Sequence, residues 1–150
     1  MEIDTPFAFP DMEIDNKDTG LLAFFINYLS VLEGIKTKTK NLHWGAEKLP
    51  NRDKRGAHLY LDDFLEVISD FQDTIAESCQ GLLGSMGLDA VHGIHFPATG
   101  TSDFVDYIRS RTIEFYDNLP KSTEYACIKS ETETFIVNID KYKYLFKLTE

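Results

Sequence analysis

His58, Asp62, Asp73 and Glu77 stand at spacings of four, eleven and four within one helix-length stretch, residues 58–77. At helical geometry they fall at about 0°, 40°, 60° and 100° around the axis, one narrow polar arc. A histidine and three carboxylates on one arc have the chemistry of metal ligands. Oxygen donors suit oxidisable iron or manganese, and an imidazole nitrogen also suits zinc. Asp62 and Asp73 are eleven residues apart, about 16 Å at helical rise, so one centre cannot draw on both ends of one copy. His58/Asp62 and Asp73/Glu77 can meet only if a second copy packs antiparallel, about a twofold axis near Val67 and Ile68. The spacing therefore implies chemistry and a dimer together. The plain alternative is the solvated face of an amphipathic helix. Glu66 and Ser69 share the arc near the axis, where Glu66 could ferry a cation or pair with lysine. Asp63 and Asp70 point further round, towards solvent.

The elements that must position these groups follow from apolar spacing. Leu22, Phe25, Leu29, Leu32, Ile35, Thr39 and Leu42 recur every three or four residues, predicting a first helix over about 18–44, capped by Asp18 and ended by Gly45 and Pro50. Residues 51–56 read as a polar, basic loop. A second helix is predicted over about 57–83, with Leu61, Phe64, Leu65, Ile68, Phe71, Ile75, Cys79, Leu82 and Leu83 as its apolar stripe. That stripe lies well away from the His/Asp/Glu arc, so the arc is not needed for the core. Glycines and Pro97 mark a connection over about 84–101, long for a bundle and expected to carry a turn or short helix. Ser102 or Asp103 can cap a third, short helix over about 103–117, with Phe104, Ile108, Phe115 and Tyr116 inward. Pro120 breaks it. A last helix over about 123–148 has Tyr125, Ile128, Thr132, Phe135, Ile139, Tyr142 and Phe146 in register. The expected fold is all-α: a four-helix bundle over 18–150 with a long connection between helices two and three. Residues 1–17 show no helical period and read as an acidic extended arm, which Phe7 and Phe9 could anchor on a neighbouring surface.

Composition bounds the function. The chain has 150 residues, 43% hydrophobic, with a formal net charge of −10. Such a balance disfavours an indiscriminate grip on nucleic acid or anionic membrane and favours cations. There is no apolar run long enough to span a bilayer, and the short apolar stretch at 21–25 follows acidic residues, unlike a signal peptide. Two cysteines are too few for a disulfide framework. Cys79 reads as a reduced core residue, and a cytoplasmic location is expected. His92 and His95 have His-x-x-His spacing, but the glycines around them favour a loop. Lys36, Lys38 and Lys40, and Lys141, Lys143 and Lys147, suit helix C-terminal ends. No Gly-rich phosphate loop, nucleophile elbow or Cys-x-x-Cys site is present.

Asn41-Leu42-His43-Trp44 closes the first helix, followed by His58-x-x-x-Asp62 and Asp73-Thr74-Ile75-Ala76-Glu77 on the second. Together these resemble the Dps family, the mini-ferritins, over about 20–85, with a weaker topological likeness over 100–150. The resemblance implies a ferritin-like bundle in which His43, His58 and Asp62 of one subunit face Asp73 and Glu77 of its twofold mate. It implies a ferroxidase centre shared between subunits, oxidising ferrous iron with peroxide or oxygen, and ferric storage inside a twelve-subunit shell. Trp44 would sit beside the centre, where the family has a tryptophan that absorbs stray oxidising equivalents. Zinc or manganese are alternative metals. The sequence departs from the family in three ways. The interval from His43 to His58 is fifteen positions, longer than usual by about three, without the Gly-x-x-Phe approach to the second histidine. The third helix is short. The amino-terminal arm is acidic, so the DNA binding of lysine-rich family tails is not expected here. The rival expectation is a structural or interaction protein of ferritin-like descent that has lost iron oxidation.

Overall fold

The computed structural model describes residues 16–93 and 100–150. Four helices carry the fold: α1 (Asn16–Trp44), α2 (Lys54–Leu83), α3 (Thr101–Asp117) and α4 (Ala126–Thr149). Single 3-10 turns at Ala46–Lys48, Leu88–Ala90 and Thr123–Tyr125 sit in the connections, and no strand occurs among the described residues. Among those residues, no helix is long and apolar enough to cross a membrane. The arm's remaining residues, with Phe7 and Phe9, lie outside the described residues, as does His95.

Contacts between helices set the topology. α1 packs on α2 and α3, and α4 also packs on α2 and α3. Phe64 stacks on Tyr142 at 4.8 Å and Phe71 on Phe135 at 4.1 Å, so α2 and α4 run antiparallel. Arg109 pairs with Asp140 and Lys143 with Asp106, each at 2.7 Å, which makes α3 and α4 antiparallel too. Consequently α2 and α3 are parallel, and the chain between them must return along the length of the bundle. Its path is marked at Gly93, where an added Cβ would lie 3.1 Å from the Gly34 backbone nitrogen of α1. Glycine at 93 lets the connection pass close to the α1 backbone, which a side chain there would obstruct.

One end of the bundle is tied by polar groups. The Asn51 amide, 2% exposed, donates to Thr101 Oγ1 at 3.0 Å and Thr149 Oγ1 at 2.8 Å. The Asp53 backbone N–H donates to the Thr149 carbonyl at 2.8 Å, satisfying a carbonyl that a helix end leaves unpaired. The start of α2, the start of α3 and the end of α4 are thereby joined. Asp53 also caps α2 by accepting from Gly56 N–H at 2.8 Å. A Cβ on Gly56 would fall 2.3 Å from that carboxylate, so a side chain there would make the capping group shift.

The apolar stripes meet as the periodicity predicts. Phe25, Leu29, Leu32, Ile35, Thr39 and Leu42 of α1 are buried, as are all seven residues assigned to the last helix from Tyr125 to Phe146. Burying each large side chain contributes about 1.5–3 kcal/mol. Tyr28 stacks on Phe115 at 4.0 Å, and its hydroxyl shares a 2.8 Å hydrogen bond with Thr112. Burial holds that phenol well above the ordinary tyrosine range.

Several boundaries differ from the sequence expectations. α1 begins at Asn16, so Asp18 lies inside its first turn rather than at the cap, and Asn16 and Lys17 belong to the helix rather than the arm. α2 begins at Lys54, three residues early, because Asp53 and Gly56 form the cap. α3 begins at Thr101, placing Ser102 and Asp103 within the helix; the side chain of Thr101 is instead buried against Asn51. Tyr116 is only half-buried and its hydroxyl donates to Glu133. Leu82, assigned to the apolar stripe, is 42% exposed, because it sits in the last turn of α2 where less of the bundle extends to cover it.

Candidate metal centre

His43 occupies the last turn of α1 and His58 the second turn of α2, and the antiparallel packing of these helices brings them together. Their rings stack with centroids 3.8 Å apart and planes at 16°. Two hydrogen bonds cross the pair. His43 Nδ1 donates to the His58 carbonyl at 2.8 Å, and His58 Nδ1 donates to the His43 carbonyl at 2.9 Å. The second bond satisfies a carbonyl in the last turn of α1, which has no partner within its own helix.

This reciprocity decides the tautomer. A carbonyl oxygen only accepts, so each Nδ1 must carry its proton. A neutral ring protonated there presents a lone pair at Nε2, the state a metal ligand requires. His43 Nε2 lies 3.9 Å from Asp62 Oδ1, beyond hydrogen-bond range but close enough for both atoms to face a common guest. The His43 side chain is 15% exposed and that of Asp62 59%, so the imidazole is held while the carboxylate reaches outward.

Further along the arc the setting changes. Asp73 and Glu77 are exposed, and the side chain of neither makes a hydrogen bond or ion pair with another described residue. Asp63, Glu66 and Asp70 are exposed and Ser69 is half-buried on the same outer side of α2. Trp44 is 68% exposed beside His43, with Lys40 Nζ 5.7 Å from its ring centroid. Among the described residues, no three histidine, cysteine, aspartate or glutamate side chains converge closely enough within one chain to hold a metal ion. The expected donors thus fall into two sets: His43, His58 and Asp62 at one end of α2, and Asp73 with Glu77 near the other.

The longer interval between the two histidines does not separate them. The Ala46–Lys48 turn lies between them, and Ala46 and the following Leu49 are buried in the core. His92 is exposed in the crossing connection. Cys79 is buried, and desolvation pushes its thiol up to about 11.

One feature escaped the sequence reading. Gln72, 8% exposed, accepts from Lys36 Nζ at 2.8 Å and donates to Glu33 Oε1 at 2.9 Å, bridging α1 and α2 next to Asp73. Its signal was a polar residue inside the apolar stripe of α2, opposite an acid and a base three apart on α1. No family model, curated protein or solved structure matches this chain.

Proposed function

We propose that the chain is a Dps-like, ferritin-like ferroxidase whose iron site is completed by a second copy. The observation that carries this reading is the crossed histidine pair: it fixes two Nδ1 protons, leaves both Nε2 atoms as lone-pair donors, and sets that of His43 3.9 Å from Asp62. Asp73 and Glu77, exposed on the same arc and without partners of their own among the described residues, are the groups a twofold mate would bring opposite. Nitrogen donors retain ferrous iron, and carboxylates stabilise the ferric product. A bundle with one long crossover, as here, is also the ferritin-like arrangement.

Ferrous iron is the substrate in this reading. Two ferrous ions supply the two electrons that cleave one peroxide O–O bond: two Fe²⁺, one H₂O₂ and two protons yield two Fe³⁺ and two waters. Delivering both electrons from one shared site avoids releasing a hydroxyl radical. His43, His58 and Asp62 of one protomer would hold one side, and Asp73 and Glu77 of the second protomer the other. Trp44, exposed beside His43, is placed to take up stray oxidising equivalents. A dodecameric shell storing ferric mineral goes with the family reading, as does a cytoplasmic location. Zinc or manganese would fit the same donors without turnover.

Asp62→Asn with Glu77→Gln is expected to slow peroxide-driven ferrous oxidation by at least about a hundredfold, since even outer-shell partners of metal ligands cost about 10–100-fold. Assembly should be unchanged by sedimentation. Undiminished oxidation in that variant would defeat the assignment. A second reading has its own support: the histidine pair already makes two hydrogen bonds to backbone carbonyls across the helices, so it can serve purely as a clasp between α1 and α2 in a structural protein. Purified protein that neither binds ferrous iron nor oxidises it would favour the clasp alone.

A further inference from the structure

The outer face of α4 carries an apolar stripe that the described residues leave exposed. Val137, Tyr144 and Leu148 are 67%, 62% and 60% exposed. On a helical projection they lie within about 20° of one line, with Ile128, Phe135, Ile139 and Phe146 of the core on the opposite side. Ser130, Thr134 and Lys141 complete the line, giving steps of four, three, four, three and four residues from 130 to 148. This is the alternating spacing of a two-helix seam, in which each side chain enters a gap on a facing helix. Among the described residues, the helices that pack most extensively on α4 are α2 and α3, which meet its other side.

We propose that this face docks against the same face of a second copy, with the two α4 helices antiparallel about a twofold axis near Ile139. A twofold contact must be self-complementary, and the charges beside the stripe are so only in this direction. Glu133, Asp140 and Lys147 share one flank at seven-residue intervals, and all three are exposed. In the antiparallel pair Glu133 of each copy comes opposite Lys147 of the other, so the contact gains two ion pairs. In a parallel pair this flank of the two copies would fall on opposite sides of the seam, so Glu133 and Lys147 would never meet and no ion pair would form between them. Asp140 falls near the axis, where two carboxylates approach. Each is already neutralised by its own Arg109, which donates from Nε at 2.7 Å and from a terminal nitrogen at 3.4 Å. The same register stacks Val137 on the aliphatic stem of Lys141, Tyr144 on Thr134 and Leu148 on Ser130, a stem being able to cover apolar surface while its ammonium reaches water.

This contact lies on α4 and is independent of the iron reading, whose twofold axis lies on α2. Sedimentation equilibrium of the full chain over a micromolar-to-millimolar series tests it. Val137→Glu with Tyr144→Glu should weaken one association step by at least about tenfold, whereas Asp62→Asn with Glu77→Gln should leave that step unchanged. Glu133→Lys alone and Lys147→Glu alone should each weaken it, and the two together should restore it. A chain that stays monomeric throughout, or an association indifferent to the stripe variants, overturns the proposal. Loss of association without restoration by the charge swap overturns the antiparallel register and the proposal with it. Retained helical circular dichroism in the stripe variants confirms that folding is not what changed.

Discussion

The two ends of the polar arc on α2 are built on different physical terms. At the amino-terminal end, His58 is half-buried, stacked on His43 and bonded to the backbone of another helix. At the carboxy-terminal end, Asp73 and Glu77 stand in solvent without a side-chain bond to any described residue. Imidazole rings lose little by partial burial when their N–H groups find carbonyls, whereas a carboxylate loses much unless a cation or several donors meet it. The first set is therefore organised by the fold of one chain, and the second stays solvated until something else arrives. In the proposed reading, a metal site divided in this way would have its rigid half at a helix–helix junction and its hydrated half on an open helix face.

Both halves rest on the same buried stripe, and the largest effect should come from there. Phe71→Ala removes a ring stacked on Phe135 on the buried side of α2 near Asp73 and should cost about 3–5 kcal/mol in denaturant unfolding. A loss below about 1 kcal/mol would mean that the arc is not held by its core. The next test asks whether the exposed half is also loosely packed beneath. Cys79 lies there with its thiol pushed up to about 11 from 9.0. Its thiolate at pH 8 should be about a hundredfold scarcer than that of an ordinary cysteine, so alkylation should label exposed Cys127 and spare Cys79 until the chain unfolds. The native state binds this proton more tightly than the unfolded chain does. The associated stability is thus complete below pH 9 and is lost as the pH rises towards about 11. Rapid labelling of both cysteines at pH 8 would erase this part of the contrast.

Smaller effects separate the two ends directly. His43→Ala deletes a ring stack and one hydrogen bond and should cost about 1–2 kcal/mol. Asp73→Ala with Glu77→Ala, on open surface, should change stability by less than about 0.5 kcal/mol. Equal losses in the two variants would show that the exposed carboxylates are held in the isolated chain after all, contrary to their solvated setting.

Much of the bundle was legible because helical burial is periodic. Every residue expected inward on the last helix is buried, and the extra length between the second and third helices does contain a short helical turn. Periodicity gives direction around an axis but not how far a neighbouring helix reaches, which is why Leu82 points inward by spacing yet stands in solvent. Caps were less legible: Asp18, Ser102 and Asp103 all have the right chemistry, but the chain enters its helices one to two residues before them. Gln72 was hidden for a related reason, since a polar residue in an apolar stripe announces a partner without naming it.

From its own spacing the chain determines that His58, Asp62, Asp73 and Glu77 share one face of α2 and that Asp62 and Asp73 are too far apart for a single centre. Helical rise and turn settle both, and they need no other part of the molecule. Only the tertiary structure decides that His43, fifteen positions before His58, lies against it with both rings locked in the Nδ1-protonated form. That outcome depends on where the turn at Ala46–Lys48 returns the chain and on two helix backbones coming within hydrogen-bond reach of each other's side chains. Those distances are set by packing across the core, which no local pattern of residues encodes.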